Sequence, residues 1–280
     1  MEDSAERSST TLAKNIWELQ QLISRGKATG RARQMLLRAY AQQVADVEEQ
    51  LGIEEGDRAF ILAREDSRDG VLLIHGTTGS PEDLRAMAHF LYEGGFNACC
   101  MRLPGHGLPE GQATGGSWEA CVNEVQHRYQ MLSDCCKNVY VLGYSFGAAL
   151  AMQLDLSPRP RALVLLAPAI YPRLGLMQRV LVALGLDRVA WIRRHLGWKV
   201  EVLEAMNAAR RHKWWYGVPI LALMARDDGR IDPRSLGFLR SRVTHHRTQI
   251  HQLPTGGHQL QHGEHRDEVQ RMALEFIKEN

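Results

Sequence analysis

The chain has 280 residues, of which 44% are hydrophobic and 24% are charged, and its formal net charge is +2. These values exclude a wholly disordered chain and provide no overall charge bias toward nucleic acid. No apolar run is long enough to cross a bilayer, and the start M-E-D-S-A-E-R lacks the features of a secretory signal. We therefore expect a cytoplasmic protein without a transmembrane segment, built as one large α/β domain with an insertion or as two small domains.

Residues 1–57 are predicted to form an N-terminal helical extension. Apolar residues recur at helical spacing over Leu12–Ile23 and Leu36–Leu51, and a glycine follows each run. The first helix is expected to begin after the capping candidates Ser9 and Thr10. This helical hairpin, which contains no catalytic constellation, is explained by packing on the main domain or across a homodimer. A lid, or an element in transient contact with a membrane surface, is the alternative.

Residues 58–280 are predicted to form the main domain, because short apolar runs alternate there with segments of helical spacing. Such alternation implies right-handed crossovers and a mostly parallel central sheet with helices on both faces. The continuously apolar run V-L-L-I at 71–74 is typical of a strand buried on both faces. The predicted strands lie at 59–63, 71–74, 97–103, 139–142, 162–166, 220–224 and 248–253, and the clearest helices lie at 81–93, 118–132 and 267–278.

Residues 172–216 interrupt this alternation with a segment that is helix-like throughout. The segment holds four of the six tryptophans and has nine basic residues against three acidic ones. We interpret it as a small helical cap inserted into the main domain. Its leucines, valines and tryptophans indicate an apolar acyl or alcohol group in the substrate.

The five cysteines are predicted to be reduced and buried. Their number is odd, no C-x-x-C is present, and neighbours on a strand point to opposite faces, so the adjacent pairs are poorly placed to bridge. They are Cys99, Cys100, Cys121, Cys135 and Cys136. The histidine-rich segment 245–265 lacks metal-ligand spacing, so we expect no metal and no cofactor.

Residues 143–147 read G-Y-S-F-G and follow the apolar run 139–142, which raises the question of a nucleophile. Gly143 and Gly147 would remove side chains from a sharp strand-to-helix corner and leave the Ser145 hydroxyl exposed. A nucleophilic serine also needs two backbone donors for the oxyanion. The candidates are the N–H of Phe146 and that of Thr77, which lies in the loop H-G-T-T-G-S-P. A plain turn that happens to contain a serine is the alternative.

Two later loops supply a general base and an acid to orient it. His258 ends P-T-G-G-H, directly after the last predicted strand, where a loop at the carboxyl edge of the sheet would lie. Asp228 in R-D-D-G follows the strand at 220–224, with Asp227 as the alternative; either aspartate could instead be a simple turn former. The chain order serine, aspartate, histidine is the one expected for this architecture.

With these residues in view, the chain resembles the α/β-hydrolase superfamily, and within it the small-cap carboxylesterases and monoacylglycerol-lipase-like enzymes. The resemblance covers roughly residues 58–280. It rests on V-L-L-I-H-G-T-T-G-S, M-R-L-P-G-H-G, L-G-Y-S-F-G-A, R-D-D-G and G-G-H. It implies the α/β-hydrolase fold, with a structural rather than catalytic role for His106 in the P-G-H-G turn.

The resemblance also implies roles for the candidate residues. Ser145 would be the nucleophile, His258 the general base and Asp228 the orienting acid, while Thr77 and Phe146 would donate to the oxyanion. The expected function is cleavage of a small-molecule carboxylic ester, with a short- to medium-chain acyl group or a monoacylglycerol-like structure, through an acyl-enzyme. The alternatives are a thioesterase, amidase or carbon–carbon hydrolase that uses the same triad, and a non-catalytic binding protein of the same fold.

Overall fold

A computed structural model describes residues 2–108, 117–154, 156–175 and 200–280. Seven strands in these ranges form one sheet: β1 Phe60–Leu62, β2 Asp69–Ile74, β3 Asn97–Met101, β4 Asn138–Tyr144, β5 Leu163–Leu166, β6 Ile220–Ala225 and β7 Gln249–Leu253. The strand order is β1-β3-β2-β4-β5-β6-β7. Only β1 runs antiparallel to its neighbour; the other pairs of this sheet are parallel. Each of the seven predicted strands is present, within a few residues of its predicted ends.

Helices cover both faces of this sheet, as predicted. In the described ranges they are α1 Glu2–Ser24, α2 Gly30–Gln50, α3 Glu82–Glu93, α4 Trp118–Cys135, α5 Phe146–Ala151, α6 Val200–Arg211, α7 Arg234–Arg242 and α8 Arg266–Glu279. Strand β2 illustrates the arrangement, because Leu72 belongs to the core cluster shared with α2, α4, α5 and α6. Its neighbours Val71 and Leu73 belong to the opposite cluster, shared with α3 and α8.

The parallel strands place the candidate site at one edge of the sheet. Parallel strands end at the same edge, and ligands in open α/β sheets bind outside that carboxyl edge. The loops after β2, β4, β6 and β7 contain Gly76, Ser145, Asp228 and His258, respectively. The sheet order therefore brings residues that are far apart in the sequence to one place.

The N-terminal hairpin packs on the main domain. Leu36 and Leu37 of α2 are 0% and 1% exposed, and α2 contacts β1 and α4. The predicted start of α1 after Ser9 and Thr10 is wrong, because the helix already begins at Glu2. Acidic residues are favourable at a helix N-terminus, but they add nothing to an apolar periodicity. The periodicity therefore did not predict that the helix begins before Ser9. Within the described ranges, no helix combines the length and the apolar character that crossing a membrane requires.

The predicted cap is only partly described, since residues 176–199 lie outside the described ranges. In its final part, residues 200–216, α6 packs against α4 and α5, with Ala205 and Ala209 fully buried. Trp215, in the short 3-10 helix Trp214–Gly217, is also fully buried. These residues belong to the crossover between β5 and β6. Trp215 fills the domain core there, and composition alone cannot distinguish such a tryptophan from one in a cap.

All five cysteines are free and buried. Burial raises the pKa of the Cys99 thiol to about 11 and that of the Cys136 thiol to about 12. These thiols therefore stay protonated at neutral pH and pack as small apolar side chains, as the sequence predicted.

Candidate active site

Ser145 lies at a sharp corner between β4 and α5. Its backbone has φ 54° and ψ −111°, a conformation that residues other than glycine rarely adopt. A Cβ at Gly147 would lie 2.2 Å from the carbonyl oxygen of Ile74, and one at Gly143 would lie 2.6 Å from the backbone of Ala148. Since these neighbours are backbone atoms, they cannot turn aside as a side chain could. The corner therefore requires both glycines that the sequence singled out.

Hydrogen bonds from the end of β5 hold this corner in its unusual conformation. Ser145 N–H donates to Leu166 O at 2.8 Å, and Ala169 N–H donates to Ser145 O at 3.2 Å. Between them Ala167 also has a positive φ, 45°. Such backbone strain persists only where the surroundings determine the conformation, and it is concentrated at functional sites.

His258 connects Ser145 to a buried aspartate. Its Nε2 lies 2.9 Å from Ser145 Oγ, and its Nδ1 lies 2.9 Å from Asp228 Oδ2. Asp228 is fully buried, and its other oxygen accepts N–H groups of Arg230 and Ile231 at 2.8 and 2.9 Å. With the Nδ1 proton held by the carboxylate, Nε2 is free to accept the serine proton.

The neighbouring Asp227 contacts the backbone of the His258 loop and not the imidazole. Its side chain is exposed and accepts the N–H of Gly257 at 2.9 Å, one residue before His258. It therefore anchors the loop that carries the histidine, whereas Asp228 contacts the imidazole itself. Of the two aspartates that the sequence left open, the structure brings Asp228 to His258.

The loop after β2 lies beside the serine. A Cβ built on Gly76 would be 3.6 Å from the Cβ of Ser145 and 3.1 Å from the ring of Tyr144, so this loop and β4 are in close approach. Thr77 follows in the same loop, and Phe146 begins α5 on the other side of the serine. Both are thus placed next to the nucleophile, and their function as oxyanion donors stays a prediction.

The His75 side chain holds the start of this loop in place through contacts of both ring nitrogens. Its Nε2 accepts the N–H of Leu103 at 3.0 Å, and its Nδ1 lies 2.8 Å from Gly76 O. Burial, together with the nearby His106, lowers the pKa of His75 to about 3. A neutral imidazole suits this environment, because Nε2 must keep its lone pair free to accept. The sequence analysis assigned His75 no role, since nothing in the H-G motif indicates burial.

Acidification is expected to destabilise the fold through His75. Its folded pKa of about 3 lies below the ordinary 6.5, so between these values the unfolded chain binds a proton that the folded chain excludes. The free energy of unfolding should therefore be highest above pH 6.5 and fall toward pH 3. Between pH 7 and pH 5 wild type should lose about 2 kcal/mol more than His75→Gln, measured by denaturant unfolding. Equal losses would contradict this assignment.

The site opens into a cavity of about 410 Å³. Its wall combines the loop after β2, the loop that carries His258, and side chains from α3, β4, α6 and the loop after β6. These lining residues include Thr77, Thr78, Asp83, Tyr144, Val202, Arg230 and Gln259. Burial raises the pKa of Tyr144 to about 12, so its hydroxyl stays protonated. Apart from Thr77, these lining residues could not be found from the sequence, because only the fold brings α3, α6 and the loop after β6 together.

The structure also connects the start of the predicted cap to the acid loop. Arg173 donates from its guanidinium to the backbone oxygen of Asp228, and its N–H donates to Arg230 O at 2.7 Å. Pro172 forms an isolated bridge with Ile231. In the described ranges, no group of three or more His, Cys, Asp or Glu side chains could hold a metal ion.

Comparisons with known proteins agree with this fold. A family model described as serine aminopeptidase S33 (Hydrolase_4) matches residues 65–196. A thermostable monoacylglycerol lipase from Bacillus sp. (strain H-257) is 34% identical over 85 residues, which are 30% of this chain and 34% of that protein. A carboxylesterase from Bacillus subtilis (strain 168) is 29% identical over 85 residues, 30% of this chain and 35% of that protein. The matches thus span about a third of the length of these relatives.

Solved structures extend the likeness to most of the chain. A structure from work on LipS and LipT, two metagenome-derived lipolytic enzymes, has a TM-score of 0.67 at 18% identity and covers 81% of this chain and 100% of its own. A monoacylglycerol lipase from Paleococcus ferrophilus has a TM-score of 0.62 at 16% identity, with 80% and 100% covered. This chain therefore has the α/β-hydrolase fold. Among the proteins compared, it resembles monoacylglycerol lipases and carboxylesterases.

Proposed function

We propose that the protein is a serine hydrolase that cleaves carboxylic esters through an acyl-enzyme. The observation that carries this proposal is the continuous contact from Ser145 Oγ through the His258 ring to Asp228, with 2.9 Å at each step. The likeness to a monoacylglycerol lipase and a carboxylesterase supports an ester as the substrate. Neither the triad nor the proposed chemistry needs a cofactor.

In the proposed mechanism, His258 Nε2 takes the proton of Ser145 Oγ as this oxygen attacks the ester carbonyl carbon. The carbonyl oxygen becomes an oxyanion, which the N–H groups of Thr77 and Phe146 would stabilise. His258 then gives the proton to the leaving alcohol, and the acyl group stays on Ser145. A water molecule, deprotonated by the same nitrogen, releases the acid. Asp228 keeps the imidazole in the tautomer that this sequence needs.

The cavity supports a small ester with a polar alcohol. Thr77, Thr78 and Gln259 offer hydrogen-bonding groups around the serine, while Val202 provides an apolar surface. A glycerol-like alcohol could use the polar groups, and a short- to medium-chain acyl group could use the apolar ones. This lining favours the monoacylglycerol-like substrate within the ester class.

A panel of substrates tests the proposal. Turnover should be measured with p-nitrophenyl esters from acetyl to dodecanoyl, with monoacylglycerols of the same chain lengths, and with one thioester and one anilide of the preferred acyl group. We expect the highest kcat/KM with an oxygen ester. A higher value for the thioester or the anilide would instead favour the thioesterase or amidase alternative, which uses the same triad. No turnover of any substrate by a folded protein would favour the binding-protein alternative.

Asp228→Asn is expected to lower kcat by about four orders of magnitude, because an amide cannot hold His258 in the required tautomer. Asp227→Asn is the matched control, since it makes the same change one residue away, where the carboxylate accepts the N–H of Gly257 rather than contacting the imidazole. We expect it to lower kcat less than tenfold, because an amide oxygen can still accept that hydrogen bond. Both values come from steady-state turnover of the preferred ester. The reverse ranking of the two variants would assign the acid role to Asp227.

Two further proposals concern the setting of the enzyme. The free cysteines support a cytoplasmic location, since disulfides are rare in that reducing compartment.

The homodimer and the transient membrane contact predicted for the N-terminal helices are supported by exposed apolar side chains on those helices. Trp17 is 60% exposed and Met35 is 54% exposed. Both associations stay predictions.

A further inference from the structure

A buried ion pair joins the N-terminal hairpin to the main domain. Glu48 lies on α2, and Arg102 directly follows β3; their side chains are 5% and 9% exposed. Arg102 Nε donates to Glu48 Oε2 at 2.7 Å and Arg102 Nη2 donates to Oε1 at 3.0 Å. Glu48 Oε2 also accepts the N–H of Ala59 at 3.1 Å. This two-pronged geometry holds the guanidinium plane in one orientation.

The third guanidinium nitrogen of Arg102, Nη1, connects this ion pair to the loops of the candidate active site. Its Nη1 donates to the carbonyl oxygen of His106 at 2.8 Å. The His106 ring in turn places Nε2 2.9 Å from Thr77 O and Nδ1 3.1 Å from Pro104 O. Since carbonyl oxygens only accept, each ring nitrogen can bond its oxygen only as a donor, and donation from Nε2, at the shorter of the two distances, connects the ring to Thr77 O. A chain of direct contacts therefore runs from Glu48 to the residue proposed as an oxyanion donor.

Thr77 needs such an anchor because of the loop it occupies. Gly76 and Gly79 flank the Thr77-Thr78 pair, and glycines leave a loop free to adopt several conformations. An oxyanion donor is effective only when it already points at the position where the charge develops. The bond from His106 fixes the peptide that follows Thr77, and the bond from Leu103 N–H to His75 fixes the loop at its other end. The segment 102–107 thus holds this loop at two points.

The end of the hairpin supports the segment 102–107 from the outside. Gly107 has φ +64°, and a Cβ built on it would lie 3.2 Å from Asp57 Cβ and 3.7 Å from Ile53 Cγ2. Ile53 is 1% exposed, so this contact is closed to water. The residues that follow the hairpin therefore lie directly against the segment 102–107.

We propose that Glu48 is a positioning residue for ester hydrolysis: through Arg102 and His106 it holds the loop of Thr77 in the conformation that stabilises the oxyanion. The inference rests on the function proposed above. It gives the N-terminal hairpin a role in turnover, although the hairpin contributes no group that touches the substrate.

The proposal is tested with Glu48→Gln, which keeps the shape of the side chain and removes its charge. We expect kcat for the preferred ester to fall about ten- to a hundredfold while KM changes less than threefold, because the loop acts on the transition state. The affinity for a trifluoromethyl ketone analogue of the substrate, whose adduct carries the oxyanion, should fall in proportion to kcat. Glu124→Gln is the matched control, since it removes a charge from the Glu124–Arg128 pair on α4, away from this loop. It should leave both quantities within twofold of wild type.

A second measurement keeps the test independent of the substrate. Amide hydrogen exchange at residues 76–79 should become at least about tenfold faster in Glu48→Gln than in wild type, and it should stay unchanged in Glu124→Gln. If Glu48→Gln does not fold, the double variant Glu48→Met with Arg102→Met removes both buried charges and is measured in its place. Unchanged exchange in a folded variant overturns the positioning role, even if wild type hydrolyses no ester. Absence of turnover by wild type, with faster exchange in the variant, counts against the proposed function alone.

Discussion

Ser145→Ala is expected to lower kcat for an ester by about five to six orders of magnitude while the protein stays folded. Without Oγ there is no nucleophile for the acyl-enzyme, and His258 loses the group that it deprotonates. The measurement is steady-state turnover of the preferred p-nitrophenyl ester, together with mass-spectrometric detection of covalent labelling by a fluorophosphonate. Both signals should disappear, apart from a slow residual rate that bound water provides.

Ser241→Ala is the control for this change, since Ser241 lies on α7 and its Oγ donates to Phe238 O at 2.9 Å within that helix. It should keep wild-type turnover and labelling. Equal turnover by wild type and Ser145→Ala would mean that the observed activity comes from another site or from a contaminant. The proposed mechanism would then be wrong, whatever the substrate.

Gly147→Ala is expected to unfold the corner rather than to alter its chemistry. The added Cβ would lie 2.2 Å from Ile74 O and 2.6 Å from His75 O, and both atoms belong to the backbone of β2 and its loop. Relief requires β2 and α5 to separate, so we expect a loss of about 4 kcal/mol or more in the free energy of unfolding. Chemical denaturation, followed by circular dichroism, measures this loss; where no folded protein is obtained, the yield of soluble protein reports it.

Gly237→Ala is the control, and we expect the same substitution there to raise the free energy of unfolding rather than lower it. Gly237 is exposed within α7, and a Cβ built on it meets nothing within 4 Å. Alanine is the better helix former, so this variant should gain up to about 1 kcal/mol. If both variants changed stability equally, the close approach at Gly147 would not be what makes this glycine necessary.

The strands and the triad candidates could be predicted from the sequence because their signals are local. The run at 71–74 is apolar without interruption. Gly143 and Gly147 each lie two residues from Ser145, which is the spacing of the G-x-S-x-G pattern. The loops of Asp228 and His258 follow directly after apolar strands. Parallel pairing then requires these strand ends to meet at one edge, so local patterns were enough to place three distant residues together.

The remaining features depend on contacts that the sequence does not encode locally. Residues 200–216 carry the same apolar side chains and tryptophans whether they cover a cleft or fill a core, and only packing against α4 and α5 decides. Glu48 is one of two adjacent glutamates in a polar stretch of α2. Its burial depends on a partner 54 positions away, Arg102, so no periodicity could have revealed it.

The backbone conformation of Ser145 also has a consequence for how this chain would change under selection. A φ of 54° at a residue with a side chain opposes folding by about 1–3 kcal/mol, and glycine at this position would relieve most of that cost. A lineage that used the fold only to bind would gain stability by giving up the serine. Thermostability screens should therefore recover Ser145→Gly, which should trade activity for heat resistance.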